Sequence, residues 1–358
     1  MLTFSNEDNP MKFSLFKSST LAFVLSLMMI SCSPSVYKDV YPTLVDGKYD
    51  SEFPYRGCSK QLEEISNTVK MISCIAYYKT YTFALSSRLT PPEVNAQSLR
   101  GAVEANYVNS ESSGSATVIS YQDRTVALLT CAHVIYFPDT VFTYHIDKDR
   151  HSTGFLKTVA IKEKQTNYVA VFPEGGDVDI LAMDRGADIA IVGRRFTVEP
   201  TFRIPVFPYP LGKARQLEWG SFVYLFGYPS GYRMVTKGIV SSPNKDRNGS
   251  FLIDAVFSRG FSGGVALAVR DGVPNFELVG IIRMVTAHSS FVLAPEKDGA
   301  EYDPTVPYTG NMYVERRTDI EYGISQAISV ESISAFIESH LDDLQSKGYY
   351  LGSLIKPS

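Results

Sequence analysis

Leu128-Leu-Thr-Cys-Ala-His133-Val134 reads as the end of an apolar strand that carries a histidine at its tip. Working outward, short apolar or alternating runs of the same kind recur between turn signals. They fall at Val69–Tyr78, Ala116–Ser120, Thr125–Thr130, Phe155–Ile161, Asn167–Phe172, Ile189–Val192, Phe222–Phe226, Gly238–Ser241, Phe251–Ala255, Val265–Val269 and Leu278–Met284. A series of β-branched and aromatic segments at this spacing predicts an all-β barrel or sandwich. Two helices frame it. One is predicted over Lys60–Val69, with Leu62, Ile65 and Val69 on one side. The other opens at Ser329 as N-cap, with Glu331 in its first turn and Val330, Ile333, Phe336, Ile337, Leu341 and Leu344 on one face.

Two further segments follow the histidine in order. Gly186-Ala-Asp188-Ile-Ala-Ile-Val192 sets an acid before a buried-looking strand, and Ser258-Arg-Gly-Phe-Ser262-Gly-Gly264 sets a serine in a glycine-rich turn. Each has an ordinary reading alone: a core histidine, a turn aspartate, a hairpin. Together they are the set that nucleophilic hydrolysis needs. A serine hydroxyl attacks only when a histidine takes its proton, and a buried carboxylate fixes the histidine's tautomer. Glycines beside the serine let backbone N–H groups converge on a developing oxyanion. Asp177 and Asp179 compete with Asp188 for the acid, but neither precedes so regular an apolar run.

These segments resemble those of trypsin-like (chymotrypsin-fold) serine proteases, and within them the HtrA-type branch. Thr130-Cys-Ala-His-Val resembles Thr-Ala-Ala-His-Val, Asp188-Ile-Ala-Ile resembles Asp-Ile-Ala-Val, and Ser258-Arg-Gly-Phe-Ser-Gly-Gly is similar to Asn-Arg-Gly-Asn-Ser-Gly-Gly. Gly227-Tyr-Pro-Ser-Gly231 with Val235-Thr-Lys-Gly-Ile-Val-Ser241, the run Leu278-Val-Gly-Ile-Ile282 and the closing stretch Ile324–Ile337 agree with that branch. The resemblance implies two six-stranded antiparallel β-barrels with a C-terminal helix. It implies His133, Asp188 and Ser262 as the catalytic triad and the backbone N–H groups of Gly260 and Ser262 as the oxyanion hole. It also implies Val256 and Ile282 at the specificity pocket, whose apolar floor suits small or medium apolar side chains. The separation of His133 from Asp188 exceeds what the branch usually needs, so an insertion is expected within Tyr136–Gly154. Phe261 stands where an Asn or Asp usually precedes the nucleophile, so activation by a freed N-terminal amine is not expected. No cofactor and no PDZ domain are implied.

The start of the chain reads as an address. From Met11 the sequence runs Lys12, Lys17, then the apolar Leu21–Ile30, then Ser31-Cys32. That is the pattern of a signal peptide, and its apolar run falls short of the ~20 residues of a membrane span. Met29-Ile-Ser-Cys32 resembles a bacterial lipobox, which makes Cys32 the lipidated residue and the cell envelope the expected location. The organisation read from this is a signal over 1–31, a tether over 32–58, a protease domain over 59–345 with its barrel boundary near 200–215, and a tail over 346–358.

Composition narrows the partners. With 34 Lys+Arg against 38 Asp+Glu there is no basic stripe and no footprint for nucleic acid. Four cysteines are too few for a disulfide scaffold and lack zinc-ligand spacing, so no metal is expected, while a Cys58–Cys74 bond stays open. The expected function is a serine endopeptidase acting on protein or peptide substrates, held at a membrane by a lipid. The alternative is a catalytically silent protease-fold lipoprotein that binds peptides or proteins.

Overall fold

The structure, a computed structural model, describes residues 45–54, 56–148, 151–255, 258–283, 287–295, 305, 307, 309–310, 312–320 and 324–355. The signal run and Cys32 lie outside the described residues, as does Val256. Helix α1 (Ser59–Thr68) leads into β1 (Val69–Thr82), β2 (Glu104–Gln122) and β3 (Thr125–Thr130), then the single turn α2 (Ala132–Ile135). Four strands follow: β4 (Thr140–Ile146), β5 (Ser152–Val169), β6 (Asp179–Asp184) and β7 (Ile189–Arg195). All seven form one antiparallel sheet in the order β4-β5-β1-β2-β3-β7-β6. A bridge between Tyr168 and Asp177, with the Val178 N–H on the Asn167 carbonyl at 2.9 Å, brings the chain entering β6 back against β5. Six strands therefore curl around a common interior, joined at the last seam by this short contact, and β4 is an extra strand on β5.

The second half closes fully. Strands β8 (Phe222–Gly227), β9 (Met234–Ser242), β10 (Phe251–Asp254), β11 (Val265–Val269), β12 (Phe276–Arg283) and β15 (Ile324–Ser329) form a barrel in the order β10-β15-β12-β11-β8-β9. Between β12 and β15, β13 (Ala287–Pro295) and β14 (Met312–Ile320) pair as a separate two-stranded ribbon. Helix α3 (Val330–Ser346) follows, capped by Ser329 as its sequence predicts, and buries Val330, Ile333, Phe336, Ile337 and Leu344.

Burial on both faces explains the unbroken apolar runs. Val223 and Leu225 of β8 and Ala266 and Ala268 of β11 fill the closed barrel. Phe222, Tyr224 and Phe226, with Val265 and Leu267, join the core shared with the first half, around Ile72, Val118, Leu128 and Ile191. The link between the halves changes partner between Phe207 and Gly212: Phe207 N–H donates to the Val118 carbonyl, and Gly212 N–H to that of Leu278 on β12.

Several expectations are corrected. The tether ends earlier than residue 58, because Tyr49 is buried and its hydroxyl donates to Glu277 at 2.6 Å, with the Arg270 guanidinium 4.0 Å above its ring. The stretch after α3 is no loose tail: Tyr349 and Leu351 are buried, and the Tyr350 carbonyl accepts from Ser120 Oγ at 2.9 Å. Cys58 and Cys74 are free thiols, and Cys58 Sγ sits 3.7 Å from the Tyr224 hydroxyl instead. Val265, the residue after the serine turn, is wholly buried at the start of β11. Among the described residues no helix is long and apolar enough to cross a membrane.

Candidate active site

The histidine and its acid come from the two ends of one β-pair. β3 runs beside β7 with Thr130 opposite Ala190, so the turn α2 and the residue before β7 lie together at the same end of the sheet. Asp184 shapes the approach: its Oδ1 accepts the N–H groups of Gly186 at 2.7 Å and Ala187 at 3.0 Å. Asp188 then takes a left-handed backbone, φ 60°, which aspartate tolerates better than most residues. Its side chain is 6% exposed. Oδ2 lies 2.8 Å from His133 Nδ1, and Oδ1 accepts the His133 backbone N–H at 2.8 Å. An ionised carboxylate only accepts, so the proton sits on Nδ1 and Nε2 keeps a lone pair. Asp177 and Asp179, the rival acids, are exposed.

A second cation shares this carboxylate. Arg283, at the end of β12, forms an ion pair with it, Nε lying 3.2 Å from Asp188 Oδ2. The sequence carries no local sign of that contact.

The serine turn is tied down carbonyl by carbonyl. The Arg259 carbonyl accepts from Ser230 N–H at 2.8 Å, and the Phe261 carbonyl from Gly264 N–H at 2.8 Å. The Gly260 carbonyl accepts from Ser115 Oγ at 2.6 Å, and the Ser262 carbonyl from Ser115 N–H at 2.8 Å. Across a trans peptide the N–H points opposite to the C=O. Fixing the carbonyls of 259 and 261 therefore turns the N–H groups of Gly260 and Ser262 the other way. Neither N–H has a hydrogen-bond partner among the described residues. Gly260 needs to be glycine, since at φ 103° a Cβ would strike the Tyr228 carbonyl.

Ser115, on β2 of the first half, is the bridge that sequence reasoning missed. It is wholly buried, and its Oγ also accepts Tyr228 N–H at 2.9 Å while its carbonyl accepts Thr130 Oγ1 at 2.7 Å. Phe261 anchors the turn from the other side. Its ring is 2% exposed within the core of the closed barrel, packed against the face of Gly227, where a Cβ would come within 2.6 Å of it.

Ser262 is itself buried, and its turn lies against the segment that carries His133. Gly263 N–H donates to the Ile282 carbonyl at 2.9 Å, and Cys131 Sγ donates to the same oxygen at 3.3 Å. Neither Ser262 Oγ nor His133 Nε2 has a hydrogen-bond partner among the described residues. Cys131, His133 and Asp188 offer three ligand-type atoms within 4.8 Å of one another. Burial raises the Cys131 thiol well above its usual pKa and its proton is donated to Ile282, so this trio is a poor cation cage. Ile282 has no exposed surface and packs in the closed barrel's core.

A cleft of about 360 Å³ opens beside His133, lined by Ala132, His133, Tyr136, Arg185, Asp188 and Arg283.

Residues 114–281 match the family model of the trypsin-like peptidase domain. No curated protein matches the sequence significantly. Among solved structures, an HtrA-type protease AlgW with tripeptide is similar at 16% identity over 82% of this chain and 65% of its own, with a TM-score of 0.40. The Rv3671c protease in an inactive form is 13% identical over 78% of this chain and 91% of its own, TM-score 0.37. Deg5 is 17% identical over 62% and 82%, TM-score 0.35. The matched segment includes Ser115, His133, Asp188 and Ser262.

Proposed function

We propose that the chain is a serine endopeptidase that uses Ser262, His133 and Asp188. The observation that carries this reading is the pair of unpartnered N–H groups at Gly260 and Ser262, in a turn packed against the segment that bears the His133–Asp188 pair. Ser262 Oγ passes its proton to His133 Nε2 as it bonds to the scissile carbonyl carbon. The carbonyl oxygen gains the negative charge and receives the two N–H groups. His133 returns the proton to the leaving amine as the C–N bond breaks, leaving an acyl-enzyme. Water then repeats the sequence and frees Ser262. Asp188 keeps its charge throughout and holds the imidazolium in place. Phe261 fills with apolar packing the place from which an acidic residue would seek an amine, so the turn needs no cleavage event to form.

We further propose that Cys32 carries a lipid and that the enzyme works at the cell envelope, on the strength of the Leu21–Cys32 pattern. Two measurements test these readings. A fluorophosphonate probe should label the protein, and Ser262→Ala should abolish labelling and cleavage of unfolded casein. Folded protein that neither labels nor cleaves would instead be the silent peptide-binding module. Cys32→Ala should release the protein from membranes, and its retention there would remove the lipid reading.

A further inference from the structure

The cleft beside His133 is rimmed by two guanidinium groups with donors to spare. Arg185 is exposed in the β6–β7 turn, held in place by the Asp184 hydrogen bonds to Gly186 and Ala187, and its guanidinium lies 3.8 Å from the centre of the Tyr136 ring. Among the described residues it has no hydrogen-bond or carboxylate partner. Arg283 commits only Nε, to Asp188, and its two terminal amino groups are likewise unpartnered among the described residues. A guanidinium has five donors in a planar fork matched to a carboxylate. Among the described residues the one acid lining the cleft, Asp188, is buried, hydrogen-bonded to His133 and ion-paired with Arg283. Stacking on Tyr136 fixes the plane of Arg185 and leaves its N–H edge for a ligand. Among the described residues the cleft thus holds two cations and no available anion, and its volume suits a side chain.

We infer that this cleft receives an aspartate or glutamate side chain of the substrate, bound between Arg185 and Arg283, so that the preferred substrates are peptides with an acidic residue close to the scissile bond. This rests on the endopeptidase reading, because it is His133 on the wall of the cleft that puts the bound side chain next to the reacting carbonyl. A purely structural role would account for Arg283 as the support of Asp188. It would not account for a second, unpaired arginine facing the same space.

The test uses paired peptides that differ only by Glu or Gln, placed in turn at each of the three positions on either side of the cut. Affinity is measured by fluorescence anisotropy on the full-chain Ser262→Ala protein, and kcat/KM on the native protein. Charge-assisted hydrogen bonds predict a Glu-over-Gln preference of about tenfold or more at one position. The preference should shrink with added salt and invert in Arg185→Glu. Equal binding and equal cleavage of Glu and Gln peptides at every position would overturn the inference. A Glu preference in binding, with no cleavage and no fluorophosphonate labelling of the native protein, would remove the enzyme reading and leave the acidic-peptide site standing.

Discussion

Ser115 has no chemistry of its own, yet four hydrogen bonds converge on it from both halves of the molecule. Its hydroxyl joins the Gly260 carbonyl to the Tyr228 N–H, and its backbone joins Ser262 to Thr130. Replacing it by alanine keeps the two backbone bonds and strands two buried groups. Each stranded group costs about 1–3 kcal/mol. Ser115→Ala should therefore lower the urea midpoint at an unchanged m-value. Because the freed Gly260 carbonyl no longer pins the oxyanion turn, kcat should fall more than KM rises, and labelling of Ser262 should slow. A variant that loses stability but keeps native kcat would show that the turn holds without this bond. The same residue shows where the sequence is silent. His133 and Asp188 were legible because each sits at the end of an apolar run, beside residues that mark it. Ser115 meets Gly260 across 145 positions of chain, and Arg283 meets Asp188 from the other barrel, so neither leaves a local pattern.

At the scale of elements, the serine turn is also anchored by a side chain of its own. Phe261 lies in the core of the closed barrel with Val223, Leu225 and Phe251, over a glycine that leaves room for its ring. Phe261→Ala should cost about 3–5 kcal/mol through the cavity it leaves. Phe261→Leu should restore most of that stability and a large part of the labelling rate, since the turn needs apolar volume there. Calorimetry with probe kinetics on both variants checks this. If Phe261→Ala labels at the native rate, the anchor is dispensable for the site. Burial also decides which strands could be read in advance. Thr125–Thr130 and Val265–Val269 are buried at every residue, and both were predicted to the residue. Thr140–Ile146 is largely exposed and Asp179–Asp184 is only partly buried, so neither gives the fully buried apolar run that marks β3 and β11. The β2 arm over 104–111 is exposed and polar, and pairs with β1 through backbone bonds that carry no side-chain period. It belongs to a strand although none of its residues is buried.

At the scale of the molecule, the site exists only while the two halves stay packed, since His133 and Asp188 come from one and Ser262 and Arg283 from the other. The C-terminal segment contributes directly to that packing. Helix α3 grows out of β15 of the closed barrel, and the residues after it lie on the first half. Thr125 Oγ1 donates to the Gly348 carbonyl at 3.0 Å, Ser120 Oγ to that of Tyr350 at 2.9 Å, and Tyr349 and Leu351 are buried. Burying two such side chains contributes about 1.5–3 kcal/mol each. Truncation after Ser346 should therefore destabilise the first half selectively. In urea, loss of fluorophosphonate labelling should then precede unfolding of the closed barrel, followed by fluorescence of its only tryptophan, Trp219, at the entrance to β8. In the full chain the two transitions should coincide, because neither half keeps the site without the other. Coincident transitions in the truncated protein would mean that the barrels hold together through their shared core alone, around Phe226, Val265 and Leu128.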